Sequence, residues 1–84
     1  MSRQPHGMCE TTKRTLEALC EARGVTLAAA RGQSRSRHLM PARYDCYRYL
    51  RNERRWSLPS IGGVFGRDHT TVLYLLRQPA ERFQ

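Results

Sequence analysis

Residues 57–76 read SLPSIGGVFGRDHTTVLYLL, and the spacing inside this stretch decides the fold. Ser57 is placed to N-cap a short helix whose first turn accommodates Pro59, because amides there have no intrahelical partner. Ile61, Val64 and Phe65 follow at i, i+3 and i+4, so one apolar stripe faces a core. Gly66 permits a tight reversal and Asp68 is placed to cap a second helix, in which Val72, Leu75 and Leu76 repeat the spacing. Pro79 marks its end. The pattern is a helix-turn-helix. Turning Val72, Leu75 and Leu76 inward leaves Asp68, His69 and Thr70 exposed at the start of the second helix, the end that enters a major groove in such motifs.

Upstream lies a run of positive charge. Between Arg31 and Arg55 there are eight Arg (31, 35, 37, 43, 48, 51, 54 and 55) against Asp45 and Glu53, so most of the net charge of +8 sits here. A charge run is ordinarily a solvated face, but a basic stripe beside a recognition helix is the electrostatic footprint of duplex binding. Gly32 to Arg37 reads as a polar, basic loop without a hydrophobic anchor. Pro41 suits the first turn of a long helix, Met40 to Arg54, with Arg43, Arg51 and Arg54 near one face and Cys46, Tyr49 and Leu50 near another.

Further back, Leu16, Leu19 and Cys20 define a helix over Thr12 to Arg23 that Gly24 stops, and Thr26 caps a short helix, Leu27 to Arg31. Met1 to Glu10 carries Pro5 and Gly7 without periodicity and is expected to be a flexible lead, which makes 11–84 the folded domain. The expected architecture is all-α, four to five helices in one domain.

This combination resembles the DNA-binding C-terminal domain of DnaA, the bacterial replication initiator. SLPSIGGVFGRDHTTV carries the resemblance, RDHTTV with SLP-x-IG upstream being its most specific part. The similarity extends without gaps through SRSRHLMPAR, Ser34 to Arg43, and more loosely to Leu16. It implies a small Trp-repressor-like or DnaA-like helix-turn-helix fold. It also implies base reading by Asp68, His69 and Thr70 with Thr71 beside them, minor-groove insertion of Arg35, and DNA contacts from Arg43 and Arg51. Arg37, Arg54, Ser57 and Arg67 complete the expected set as contacts to the DNA backbone. One departure stands out: the family pattern has two glycines before the arginine of RDHTTV, and this chain has only Gly66. The shorter turn is expected to shift preference at major-groove positions.

The residue types suit these roles. An aspartate accepts from cytosine N4, a histidine donates to guanine or thymine acceptors, and a threonine methyl packs on the thymine methyl. Each has a plainer reading: Asp68 as an N-cap alone, His69 as surface, Thr71 as a phosphate ligand through its amide or as helix surface. Fourteen of the fifteen basic residues are Arg, whose forked donors match phosphate and guanine, although a GC-rich genome produces the same bias. Tyr44, Tyr47, Tyr49 and Trp56 interleave with Arg as a single-strand stacking platform would. Core packing is the preferred reading, with Tyr47 the most exposed of them and Trp56 sealing the two halves of the domain.

Other function classes find little support. The odd set Cys9, Cys20 and Cys46 has no metal-ligand spacing, and Cys20 and Cys46 are expected as small core residues. Asp68 and His69 have no nucleophile or paired carboxylate beside them, so no enzyme is expected. The phosphate-loop pattern is absent, and neither nucleotide nor other cofactor is expected. No apolar run is long enough to span a membrane, and a cytoplasmic, nucleoid-associated location is expected. The resulting expectation is a monomeric reader of double-stranded DNA that recognises a DnaA-box-like site. It would act as a regulator of transcription or replication initiation, encoded by a phage or mobile element. The alternative is an interaction module whose helix-turn-helix docks a protein partner.

Overall fold

The computed structural model describes residues 9–32 and 37–83. Five α-helices form the fold: α1 Glu10–Ala22, α2 Leu27–Arg31, α3 Met40–Arg48, α4 Leu58–Phe65 and α5 His69–Leu76. Turns of 3-10 helix occupy Arg37–Leu39 and Ala80–Phe83, and no strand occurs among the described residues. The architecture is all-α, as the periodicities require.

α1 starts two residues earlier than the sequence suggests. The Cys9 carbonyl accepts from the Lys13 amide at 3.0 Å, and Glu10 puts a carboxylate in the positive first turn. Glu10 therefore belongs to the helix rather than to the lead, and residues 1–8 lie outside the described residues. Thr26 caps α2 as expected, its hydroxyl accepting from the Ala29 amide at 3.0 Å.

The expected single helix from Met40 to Arg54 is two kinds of helix in series. After Arg48 the chain widens into a π turn, Tyr49–Glu53, in which the Arg54 amide donates to the Tyr49 carbonyl at 3.2 Å. The Trp56 amide then closes on the Leu50 carbonyl at 3.0 Å, across Arg55 in the left-handed region at φ 59°. Among the described residues Arg55 is the one non-glycine with positive φ.

All five α-helices contribute to one core that contains Leu16, Cys20, Ala30, Ala42, Cys46, Leu50, Ile61, Phe65 and Val72. Cys20 and Cys46 are small core residues, with sulfurs 3.7 Å apart between α1 and α3. The neighbouring Cys20 thiol and burial push Cys46 far up from the ordinary thiol pKa. Tyr47 corrects an expectation: it is buried, its ring edge-on to Phe65 at 5.1 Å. Its Arg neighbours in sequence suggest solvent, but Phe65 of α4 lies against the ring, and burial raises the Tyr47 pKa. The C-terminal turn is held by Phe83 against Tyr44, ring centroids 4.5 Å apart. Arg23 ties three segments together, donating to Asp45 at 2.7 Å and to the Phe83 carbonyl.

Candidate nucleic-acid interface

The two helices of the motif are set by caps that the sequence encodes locally. The Ser57 hydroxyl accepts from the Ser60 amide at 3.2 Å and starts α4. At the other end Gly66 adopts φ 64°, and the Arg67 amide closes on the Gly62 carbonyl at 2.8 Å, a glycine-terminated stop. Gly62 makes the reversal possible for a second reason. A Cβ on it would lie 2.3 Å from the Arg67 carbonyl oxygen, so the chain leaving the turn occupies the space of a side chain. Arg31 pins the same corner from α2, donating to the Val64 carbonyl at 3.0 Å.

Asp68 caps α5. Its carboxylate accepts from the Thr70 hydroxyl and, at 3.4 Å, from the Thr70 amide. Its other oxygen lies 3.6 Å from His69 Nδ1. The Thr70 hydroxyl holds Asp68 below the usual carboxylate range, with the Thr70 amide and the His69 charge acting the same way. Asp68, His69, Thr70 and Thr71 are all exposed, grouped around the first turn of α5 while Val72 and Leu75 anchor the helix beneath. The end of the helix that carries the positive dipole is therefore open, with two hydroxyls, an imidazole and a carboxylate around it.

The basic side chains are not arranged as the spacing suggests. Arg51 inside the π turn and Arg54 at its end are exposed; Arg51 donates to the Trp56 carbonyl at 2.9 Å and Arg54 to the Cys9 sulfur at 3.8 Å. Arg55, which the sequence reading left out of the contact set, lines a notch of about 460 Å³ with Arg51 and Asn52. Its signal is its place at a helix end where a glycine or asparagine is usual. Ser57 is exposed at the start of α4, and Arg37 is exposed at the end of the basic loop. Arg35 lies outside the described residues.

Arg43 and Arg67 are placed differently. Arg43 was expected on the exposed face and is 4% exposed, donating to the Ala30 carbonyl at 2.8 Å and the Gly32 carbonyl at 3.2 Å. The end of α2 leaves carbonyls without helical partners, and Arg43 satisfies them from below. Burial and then the nearby Arg67 charge lower its pKa. Arg67 is half-buried and donates to the same Gly32 carbonyl at 3.1 Å. Both guanidiniums face the root of the basic loop rather than open solvent.

Comparison with known proteins agrees with this architecture. Residues 13–78 match the bacterial dnaA protein helix-turn-helix. The chain belongs to that family. The match takes in every α-helix from most of α1 through α5, and with it the DnaA-like, DNA-binding class of helix-turn-helix. Among curated proteins the chain is similar to chromosomal replication initiator proteins DnaA. It is 42% identical to that of a Picosynechococcus species over 60 residues, 70% of this chain and 13% of the relative. It is 40% identical to that of Gloeobacter violaceus over 67 residues, 79% and 15%. For Chloroflexus aggregans the figures are 39% over 67 residues, 79% and 14%. The chain thus spans only about a seventh of the length of these DnaA proteins. No solved structure matches it with comparable significance. No described helix is long and apolar enough to cross a membrane.

Proposed function

We propose that this chain is a sequence-specific reader of double-stranded DNA whose site is related to the DnaA box, and that it regulates transcription or replication initiation by occupying such sites. The observation that carries the reading is the open first turn of α5, with Asp68, His69, Thr70 and Thr71 exposed together, in a domain that also exposes the cations Arg51, Arg54 and Arg55. In this reading the α5 residues meet base edges in the major groove. Arg37, Arg51, Arg54, Arg55 and the capped start of α4 at Ser57 meet phosphates. Arg35 enters the adjacent minor groove, where A·T-rich sequence concentrates negative potential. Arg43 and Arg67 contribute through the Gly32 carbonyl they share. The chain binds as a monomer, at the nucleoid, in a setting such as a phage or mobile element.

A turn one glycine shorter than the family's aims α5 differently, so base preference shifts within the box while the minor-groove end is kept. Phosphate contacts tolerate a small rotation; paired contacts to base edges do not. The test is selection of bound duplexes from a random pool, followed by binding at several salt concentrations. A box-related motif should emerge, His69→Ala should relax it, and affinity should fall steeply with salt. No enriched motif, with His69→Ala binding like the parent, would favour docking of a protein partner instead.

A further inference from the structure

We infer that Tyr74 is a specificity-determining residue of the same surface, reading a thymine methyl beyond the base that Thr70 meets; this rests on the DNA-reading function proposed above. α5 buries Val72 and Leu75. On its other side Thr70, Tyr74 and Arg77 recur at i, i+4 and i+7, which places them within about 40° of one line along the helix. All three are exposed. The stripe that starts at the base-reading turn therefore continues a full turn and more along α5.

Tyr74 is the one large apolar side chain exposed among the described residues, at 60%. The other aromatic rings described are buried or half-buried: Tyr44, Tyr47, Tyr49, Trp56, Phe65 and Phe83. No hydrogen bond or ring contact engages the Tyr74 side chain among the described residues, and it lies outside the core cluster and the side chains packed on it.

The chemistry matches a feature of the groove. The thymine C5-methyl is the apolar mark on the major-groove floor, and an aromatic ring can cover it. The phenol at the ring's far end donates to phosphate. Four residues of helix advance about 6 Å, close to two steps of roughly 3.4 Å along a strand. The thymine should accordingly lie about two base pairs from the contact of Thr70, toward the end of the site that Arg77 faces.

The experiment uses the whole chain and its selected duplex, replacing each thymine in turn with deoxyuridine, which lacks only the methyl. Parent, Tyr74→Phe, Tyr74→Ala and His69→Ala proteins are compared. At one position outside those relaxed by His69→Ala, loss of the methyl should weaken the parent and Tyr74→Phe about three- to fivefold, the worth of one buried methyl. Tyr74→Ala should be indifferent there. Tyr74→Phe should bind every duplex more weakly by one common factor, through loss of the phosphate contact. If the parent has a preferred duplex that His69→Ala relaxes, yet every methyl effect survives in Tyr74→Ala, the inference is overturned and the DNA-reading function stands. A parent with no preferred duplex would overturn that function and this inference together.

Discussion

Arg43 and Arg67 donate to one acceptor, the Gly32 carbonyl oxygen, at 3.2 and 3.1 Å. Two like charges share that oxygen because it is the last carbonyl before the basic loop, and Arg43 also satisfies Ala30 at the end of α2. The loop root is thereby tied to α3 from below and to the inter-helix turn from the side.

Removing Arg43 should cost stability rather than phosphate contact. Arg43→Ala leaves the Ala30 carbonyl short of this donor and the Gly32 carbonyl to Arg67, and should lower stability by about 1–3 kcal/mol. Arg43→Lys should recover only part, since an ammonium lacks the fork that reaches both oxygens. Urea unfolding measures this; an Arg43→Ala midpoint equal to the parent's would return the residue to the surface.

Two adjacent glycines in α4 should respond in opposite directions. Gly62→Ala drives a Cβ into the Arg67 carbonyl and should destabilise the protein by about 1–3 kcal/mol while disturbing the aim of α5. Gly63 has nothing within 4 Å of the corresponding position, so Gly63→Ala should stabilise by about 0.5–1 kcal/mol through helix propensity. Thermal unfolding of both variants separates the two effects.

The Asp68 cap should leave a signature in acid. The folded-state pKa of Asp68 lies below its unfolded value, held down first by the Thr70 hydroxyl. Such a group contributes stability above the unfolded value of about 3.9, and the contribution is lost as pH falls through the lower, folded value. Asp68→Asn keeps a capping acceptor but has no proton to gain. Its stability difference from the parent should therefore shrink as pH drops below 4, and a difference constant from pH 7 to pH 2 would show that the carboxylate charge is irrelevant to the cap.

Arg55 should trade stability against affinity. A non-glycine in the left-handed region costs about 1 kcal/mol, so Arg55→Gly should raise stability by roughly that amount. The same change removes a cation from the notch shared with Arg51 and Asn52. It should weaken specific and random DNA alike and lower the log–log salt slope by about 0.9. A more stable variant with an unchanged slope would leave Arg55 as ordinary surface charge.

Arg35 should act at one end of the site. Arg35→Ala should cost about 1–3 kcal/mol on the selected duplex, with the loss concentrated at its A·T-rich edge. Duplexes differing only at that edge test this, and equal losses on A·T and G·C versions would contradict insertion into the minor groove.

What could be read from the sequence followed from how local each feature is. Thr26, Ser57 and Asp68 cap their helices through amides two or three residues away, so the caps were visible in the chain itself. The core stripes of α4 and α5 were equally local. Arg43 and Tyr47 are buried by partners distant in sequence, the Ala30 carbonyl of α2 and the Phe65 ring, which no spacing within α3 encodes. Tyr74 is illegible in the sequence for a related reason: its chemistry offers no motif, and only the full or partial burial of the other described aromatic rings makes its exposure informative. The π turn after Arg48 likewise breaks the 3.6-residue phase on which a sequence-based face assignment rests.

That wide turn has a kinetic consequence. In a regular α-helix Arg51 and Arg54 would stand nearly in register, one above the other. A π turn rotates less per residue, so the backbone positions of Arg51 and Arg54 are set wider apart around the axis, and the reversal at Arg55 adds a third cation that shares the notch with Arg51. Charge spread over an arc makes an attractive basin that is broad and shallow rather than narrow and steep. Under the DNA-reading function proposed above, a polyanion arriving from many angles would be captured first and turned into alignment afterwards, before any base edge is tested. In that reading, capture would fall to the cations of the π turn and discrimination to the first turn of α5.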